Sequence, residues 1–204
     1  MGPPNSAQGT EPDSAVRDRL LDAAEELFGT RSFERTKVAD LAEAAGIATG
    51  SFYSYFPGKR ALLVEVLRRL STGLRAAMGE AIQGAATQAD REREAFVAFF
   101  RFLERHPRLF RIQRQVEFLA PEEYRSYWEG FARRYARAAK DAMVAGEMDA
   151  RFDPDVVAYT MYLGVPHFIG MRWVEWSEGR VPDDVAEQIF LLLNKALRPP
   201  PGGA

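Results

Sequence analysis

The chain has 204 residues, of which 47% are hydrophobic and 27% are charged, and its formal net charge at pH 7 is −2. These values predict a globular protein of one or two small domains with enough apolar residues for a substantial core. Neither a signal peptide nor a run of about 18 apolar residues is recognisable, and the absence of cysteine excludes disulfides and thiolate metal sites. A cytoplasmic protein without a membrane partner is therefore expected.

The N-terminal region is predicted to contain a disordered tail and then one amphipathic helix. Residues 1–13 are mostly Pro, Gly and small polar residues without periodicity, which is typical of disorder. Ser14 is a good N-cap, and the apolar residues after it recur at spacings of three and four, as in a helix with one buried face. They are Val16, Leu20, Leu21, Ala24, Leu27 and Phe28. Phe33, in the following loop, is expected to fill the same small core.

Two short helical patterns follow, separated by a turn that contains glycine. The first has Thr36 as its expected N-cap and carries apolar residues at i, i+3, i+4 and i+7. They are Val38, Leu41, Ala42 and Ala45. Gly46 is expected to end this helix as a left-handed C-cap. The second pattern runs from Thr49 to Phe56, and its apolar side can pack on the first helix. This arrangement is typical of a helix-turn-helix, whose second helix enters the DNA major groove.

A family resemblance rests on the same residues. The pattern is F-x-x-T-x-V-x-x-L-A-x-A-A-G-I-A-x-G-S-F-Y-x-Y-F-x-x-K, beginning at Phe33 and ending at Lys59. It resembles the N-terminal DNA-binding domain of the TetR-family transcriptional regulators. The resemblance implies an all-α protein of about nine helices, with an N-terminal three-helix DNA-binding domain and a C-terminal helical domain for ligand binding and dimerisation.

The resemblance also implies which residues contact DNA. They are Thr36, Lys37, Thr49, Gly50, Ser51, Tyr53, Ser54, Tyr55 and Lys59. Thr49 and Gly50 would lie deepest in the groove. Many relatives carry Lys or Arg where this chain has Thr49, so the commonest contact to guanine is missing here, and base readout is expected to depend on Tyr53 and apolar contacts instead. Ser51, Ser54 and Tyr55 would meet phosphates, with Lys37 and Lys59 holding the backbone on either side. The alternative for Tyr53 and Tyr55 is ordinary packing in a small core.

The charge of the DNA-binding segment is balanced. Residues 14–60 carry seven basic and seven acidic side chains. This balance argues against strong non-specific DNA binding, because phosphate neutralisation supplies most of that affinity. It is compatible with specific binding by a dimer, in which a few cations and backbone amides position the protein.

The rest of the sequence predicts a linked series of helices. A long helix is expected from Lys59 to about Gly84, and further helices are expected from near Asp90, from Pro107, from Pro121 to Gly146, from Asp155 to Trp176 and from Asp183. Gly164, Pro166 and Gly170 are expected to interrupt the helix from Asp155 to Trp176. The predicted organisation is a tail over 1–13, a DNA-binding domain over 14–60, an effector-binding and dimerisation domain over 61–198, and a second disordered tail over 199–204.

The last helix is apolar on two sides, which predicts burial by a partner. Val185, Ile189, Leu192 and Ala196 are expected to face the protein's own core. The family resemblance then implies a homodimer, and its predicted interface includes Phe168, Phe190, Leu193 and Leu197. The alternative is a central helix in a monomer.

An excess of aromatic residues between 96 and 176 predicts a hydrophobic or aromatic effector bound among the helices. The candidate residues are Phe99, Arg111, Arg114, Phe118, Trp128, Phe131, Tyr162 and His167. Pro166 frees a backbone carbonyl beside His167, which would give the pocket a polar group. Arginines recur every three residues from Arg105 to Arg114, either as a solvated face or as a site for the phosphates of an acyl-CoA. Plain core packing is the alternative for each aromatic residue.

The function predicted from the sequence is a DNA-binding transcriptional regulator, most simply a repressor released from an inverted-repeat operator by a small hydrophobic effector, with fatty acids and acyl-CoA included. The alternative is a helical ligand-binding or scaffold protein without specific DNA binding. An enzyme is not expected, because the chain has two His, no Cys, no glycine-rich phosphate loop and no helix-borne His pair. No cofactor and no metal site are expected.

Overall fold

The structure, a computed structural model, describes residues 10–177 and 179–200. In these residues the regular structure is entirely helical, which confirms the predicted all-α class. The α-helices are α1 (Thr10–Arg31), α2 (Val38–Ala44), α3 (Lys59–Ala81), α4 (Gln88–Arg105), α5 (Leu109–Leu119), α6 (Pro121–Val144), α7 (Pro154–Val157), α8 (Val165–Gly170) and α9 (Asp183–Leu197). A 3₁₀ helix spans Thr49–Ser54, and two π segments span Ala158–Gly164 and Met171–Glu175.

Two glycines end helices as the sequence predicts. Gly46 has φ +70, its N–H donates to the carbonyl of Glu43 at 3.0 Å, and the N–H of Ile47 donates to that of Ala42 at 2.9 Å. This pair of bonds is a Schellman motif, which satisfies carbonyls that the helix end leaves open. Gly146, with φ +74, ends α6 in the same way. Both predicted helix ends are therefore confirmed.

The predicted N-terminal tail ends earlier in the structure than expected. Helix α1 begins at Thr10, so the disordered tail predicted over 1–13 is wrong for residues 10–13. Pro12 in the first turn costs no hydrogen bond there, because the first N–H groups of a helix have no partner within it. Residues 1–9 and 201–204 of the two predicted tails lie outside the described residues.

Helix α2 is capped one residue later than expected. Its N-cap is Lys37, whose N–H donates to Oδ2 of Asp40 at 2.8 Å. Thr36 instead points inward, is completely buried and donates its hydroxyl to the carbonyl of Ser32 at 2.7 Å. The prediction of Thr36 as N-cap is wrong, because the helix begins at Val38, one residue too late for Thr36, whose hydroxyl is used by the carbonyl of Ser32.

By packing, the chain forms two compact units. The first unit contains the described residues up to Arg69 together with Arg111–Glu123, and the second contains Leu70–Phe110 and the residues from Tyr124 onward. Helices α3, α5 and α6 each contribute residues to both units. The division follows packing and does not coincide with the boundary at residue 60 expected from the sequence.

The core of the first unit is built from α1, α2, α3 and the 3₁₀ helix. Its most buried side chains include Leu20, Phe28, Leu41, Phe52 and Leu62. Ion pairs join α1 to α3 at its surface. Arg69 binds Asp22 at 2.7 Å and Glu25 at 3.2 Å, and Arg17 binds Glu65 at 3.0 Å.

The second unit places α9 against α4. Oε1 of Glu104 accepts a hydrogen bond from the N–H of Val181 at 3.2 Å, and Arg93 pairs with Glu187 at 2.9 Å. At the other end of α9, the carbonyl of Leu197 accepts from the N–H of Asp149 at 2.8 Å.

The predicted interruptions between Asp155 and Trp176 take the form of wider helical turns. Helix α7, the first π segment, α8 and the second π segment follow one another without a loop. Pro166, near the start of α8, has no N–H to donate, which favours a local change of hydrogen-bond register. Gly170 does not end the helix, and its lack of a side chain allows close packing against Leu103. A Cβ at this position would lie 2.4 Å from Cδ1 of Leu103.

Candidate functional site

The 3₁₀ helix of the first unit presents most of the predicted DNA contacts on one exposed surface. Phe52 is completely buried below it, and Phe56 beyond its end is 4% exposed. The exposed residues are Thr49, Gly50, Ser51, Tyr53 and Ser54. The regular segment is tighter and shorter than the helix expected from Thr49 to Phe56, because it closes as a 3₁₀ turn at Ser54. We call these five exposed residues the recognition surface.

Tyr53 is the most prominent side chain of the recognition surface. It is 59% exposed, so the alternative interpretation of core packing is wrong for this residue. Its ring stands edge-on to Phe52 at 5.4 Å between centroids. The buried Phe52 ring therefore supports the base of the Tyr53 side chain and leaves its hydroxyl end in solvent.

Lys59 makes contacts that the sequence did not predict. Its Nζ donates to the carbonyls of Phe33 at 2.7 Å and Thr36 at 2.6 Å, and it lies 4.2 Å from the centroid of the Phe33 ring. Two of the three ammonium donors are thus used to fix the loop before α2. The expected contact between Lys59 and a DNA phosphate stays a prediction, and the third N–H of the ammonium group is the donor left for it.

The other residues predicted at the DNA backbone differ in exposure. Lys37 is exposed at the start of α2. Thr36 is buried, so the prediction that its side chain contacts DNA is wrong. The hydroxyl of Tyr55 donates to Oδ1 of Asp13 on α1 at 3.3 Å. Partial burial and the Asp13 carboxylate raise the pKa of Tyr55 above its ordinary value, so the phenol stays protonated at neutral pH.

Two residues of α5 hold the C-terminal end of α1. Nε2 of Gln115 donates to the carbonyl of Phe28 at 3.0 Å, and its Oε1 accepts from the N–H of Phe33 at 2.5 Å. Arg111 donates to the carbonyl of Gly29 at 3.1 Å. These groups satisfy helix-end carbonyls that have no partner within α1. We call Arg111 and Gln115 the α5 clasp; no sequence signal indicated it, since more than 80 residues separate the partners.

The residues predicted to bind an effector do not form one set. Arg111, Arg114 and Phe118 belong to the first unit, whereas Phe99, Trp128, Phe131, Tyr162 and His167 belong to the second. Phe118 is 83% exposed, so the prediction that it lines an effector pocket is wrong. Arg111 belongs to the α5 clasp, and its role at an effector stays a prediction. Their helical spacing could not reveal that this part of α5 packs with the DNA-binding helices. Arg114 is exposed.

Four of the predicted effector residues do meet in the second unit. Trp128 lies 5.4 Å from His167, and His167 lies 4.8 Å from Phe110, measured between ring centroids. Tyr162 stacks on Tyr135 at 5.2 Å. Further ring contacts connect these pairs, and we call the whole set the aromatic cluster. Its members are Phe96, Phe110, Tyr127, Trp128, Phe131, Tyr135, Tyr162 and His167. Phe99 lies apart from these contacts, edge-on to Phe100 at 5.4 Å.

A carboxylate and a guanidinium of the described residues contact side chains of the aromatic cluster. Glu92, 8% exposed, accepts hydrogen bonds from the hydroxyl of Tyr162 and from Nε2 of Gln88, the latter at 3.1 Å. The guanidinium carbon of Arg75 lies 5.7 Å from the centroid of Phe131. Burial raises the pKa of Tyr135 to about 12. Burial, followed by the Glu92 carboxylate, raises the pKa of Tyr162 well above its ordinary value. Both phenols therefore stay protonated at pH 7, and their hydroxyls donate within the chain, that of Tyr162 to Glu92 and that of Tyr135 to Sδ of Met78 at 3.7 Å.

The predicted dimer residues divide between the core and the surface. Leu193 and Leu197 are each 4% exposed, so the prediction that they face a partner chain is wrong. Together with Ile189 they form an i, i+4, i+8 stripe on the buried side of α9. Leu192, assigned to the protein's own core, is 69% exposed instead. Ile189 is buried as predicted, whereas Leu192 on the one side and Leu193 and Leu197 on the other are opposite to the prediction.

Phe168 on α8 and Leu191 on α9 are large apolar side chains of the second unit that lie exposed. Phe168 is 64% exposed and Leu191 is 56% exposed, whereas Phe190 is half-buried. Among the described residues, no helix combines the length and apolar character needed to cross a membrane, and no cluster of three or more acidic or histidine side chains could hold a metal ion.

Comparison with known proteins identifies the first unit's helix-turn-helix. The sequence model of the family described as bacterial regulatory proteins, tetR family, matches residues 20–66. The chain is 28% identical over 203 residues to the HTH-type transcriptional repressor KstR2 of Rhodococcus jostii strain RHA1, covering 98% of this chain and 99% of that protein. It is 28% identical to KstR2 of Mycobacterium tuberculosis H37Rv over 180 residues, covering 87% and 90% of the two chains.

Solved structures share the fold at lower sequence identity. The fatty acid degradation regulator FadR from Bacillus halodurans superposes with a TM-score of 0.77 at 17% identity, covering 92% of this chain and 96% of that one. The ketosteroid transcriptional regulator KstR2 of Mycobacterium tuberculosis has a TM-score of 0.67 at 21% identity, with 90% and 95% covered. Residues 20–66 therefore carry the DNA-binding domain of the tetR family of bacterial regulatory proteins, and the whole chain is similar in sequence to a transcriptional repressor over nearly its full length and shares the fold of solved regulators.

Proposed function

We propose that this chain is a TetR-family repressor, which binds an inverted-repeat operator as a homodimer and leaves it when a hydrophobic or aromatic small molecule binds. The proposal that the protein binds an operator is supported by the recognition surface. Five consecutive or near-consecutive residues with small or hydrogen-bonding groups are exposed there, while the phenylalanines between and after them are buried. Such a surface can approach base edges closely.

Within this surface we assign base readout to Tyr53, with Thr49 and Gly50 in close approach to the groove floor. A Tyr ring offers apolar contact to a thymine methyl group and a hydroxyl for a base edge. Lys37, Ser51 and Ser54 are assigned to phosphate oxygens, where they position the protein without reading sequence.

The homodimer is supported by the exposed apolar residues Phe168, Leu191 and Leu192 of the second unit. Large apolar side chains exposed on a protein favour burial by a partner. A two-fold dimer also provides two recognition surfaces, which an inverted repeat with half-sites about 34–36 Å apart requires. A second copy of the chain is therefore the partner that both features fit.

The effector is assigned to the aromatic cluster. Its rings provide a large apolar contact area, which is common in small-molecule sites. Relatives whose names refer to a ketosteroid and to fatty acid degradation are consistent with an apolar effector. Fatty acids and acyl-CoA thioesters remain in the proposed class, together with polycyclic compounds.

The direct test is selection of binding sites from a random duplex library with the purified full-length protein at physiological salt. Enrichment of an inverted repeat is the expected result. Enrichment of nothing by the folded protein would instead support the ligand-binding or scaffold alternative.

Variants then separate the assigned roles. Tyr53→Ala should change the selected sequence, whereas Lys37→Ala should weaken all sequences alike and reduce the salt slope by about 1. Phe118→Ala removes an exposed aromatic residue of the same unit outside the recognition surface and serves as the matched control. An unchanged selection with Tyr53→Ala would contradict the assignment of this residue to base readout.

A further inference from the structure

We propose that Arg75 receives the anionic group of the effector, so that the molecule bound at the aromatic cluster is an organic anion with a flat or elongated apolar body. This inference rests on the proposed effector site and adds the charge of the ligand and the residue that recognises it.

The contacts of Arg75 leave its charge without a counterion. Its two terminal nitrogens donate to the hydroxyls of Ser71 at 2.6 Å and Thr72 at 3.0 Å, both on the same helix. These partners are neutral, and no carboxylate in the described part of the chain forms an ion pair with Arg75. Arg68 and Arg69 on the same helix are, by contrast, both paired with carboxylates. A guanidinium carries five N–H donors, so Arg75 retains donors for a further acceptor.

The surroundings of Arg75 favour an anion attached to an apolar body. Arg75 is half-buried, and its neighbours Ser71 and Phe131 are 3% and 5% exposed, so a bound anion would be partly shielded from water. Phe131 belongs to a row of rings in which it stacks on Tyr135 at 6.3 Å. A hydrogen bond between ionised groups is about twice as strong as a neutral one and is strengthened where water is excluded.

The opposite margin of the aromatic cluster gives the ligand a direction. Glu92 carries a negative charge there, and its hydrogen bonds come from Tyr162 and Gln88. A ligand carboxylate or sulfonate at that margin would meet a like charge, which is unfavourable. Glu92 and Arg75 therefore favour the same orientation, with the anionic end at α3 and the apolar body along the rings.

The test compares an anionic probe with a neutral probe of the same ring type. Anilinonaphthalene sulfonate and N-phenylnaphthylamine are titrated by fluorescence into the full-length protein. Arg75→Gln, which keeps a hydrogen-bonding side chain and removes the charge, should weaken binding of the sulfonate roughly tenfold or more and leave the neutral probe unchanged. Arg75→Lys should retain most of the sulfonate binding. Arg133→Gln, which changes an exposed arginine of α6 paired with Glu129, is the matched control.

Three outcomes would overturn the inference. They are unchanged sulfonate affinity in Arg75→Gln, an equal loss for both probes, and no binding of the sulfonate by the wild-type protein. Operator binding by Arg75→Gln, measured without probe on the same preparation, separates this inference from the proposed function. Wild-type operator affinity together with any of the three outcomes would leave the DNA-binding function intact and reject the anion site.

Discussion

Replacement of Gln115 by Ala tests how much the DNA-binding unit depends on the α5 clasp. The substitution removes the acceptor for the N–H of Phe33 and the donors to the carbonyls of Phe28 and Arg111. An internal hydrogen bond contributes about 0.5–1.5 kcal/mol net, and a buried donor left without a partner costs about 1–3 kcal/mol. The bond to Arg111 is exposed and counts least, because water can replace it. The expected loss of unfolding free energy is therefore about 2–3 kcal/mol.

Two measurements report this loss. Urea unfolding followed by circular dichroism should give a lower midpoint, and amide hydrogen exchange should show faster exchange at Phe33 than in the wild type. Gln188→Ala is the control, since this glutamine is exposed on α9 and its side chain makes one long hydrogen bond within the described residues, to Asp184 at 3.5 Å. A change below about 0.5 kcal/mol, the level of ordinary surface substitutions, together with unchanged exchange at Phe33, would refute the role of the α5 clasp.

Two further predictions concern the second unit. Gly170→Ala should destabilise the protein by about 1–3 kcal/mol, because the new Cβ would overlap the side chain of Leu103. Gly130→Ala is the control, because open space surrounds its Cβ, and its melting temperature should be unchanged or higher. Equal melting temperatures for the two variants would contradict the packing argument. The hydrogen bonds from Arg151 lower the pKa of Asp149, so the native state binds fewer protons there, and the stabilisation is present at neutral pH and is lost as the pH falls through the pKa of the folded state. Asp149→Asn should therefore show a weaker loss of stability between neutral and acid pH in urea titrations, and parallel pH profiles for the two proteins would exclude this contribution.

Local features of the helix-turn-helix could be predicted because adjacent residues determine them. Gly46 supplies a positive φ after an apolar periodic segment, and the alternation around Phe52 separates buried from exposed side chains over a single turn. The position of Tyr53 at the surface follows from the same alternation. These are interactions within a few residues, which periodicity and capping rules describe.

Long-range contacts could not be predicted in the same way. Lys59 has the composition of a phosphate contact, yet its ammonium binds carbonyls of a loop more than 20 residues earlier. The register of α9 was equally open, because both sides of this helix are apolar and the sequence does not indicate which one meets α4. Only the packed structure shows that Leu193 is buried and Leu192 is exposed.

The division of α5 and α6 between the two units affects how the chain can be cleaved by a protease and which of its segments can be replaced by those of another regulator. The chain passes from one unit to the other after Arg69, after Phe110 and after Glu123. A protease that cleaved once, or a recombination event that replaced only the N-terminal segment, would separate the helix-turn-helix from Arg111–Glu123. A functional chimera with another regulator therefore has to inherit a compatible α5 along with the DNA-binding helices, so these two stretches of sequence are expected to be replaced together.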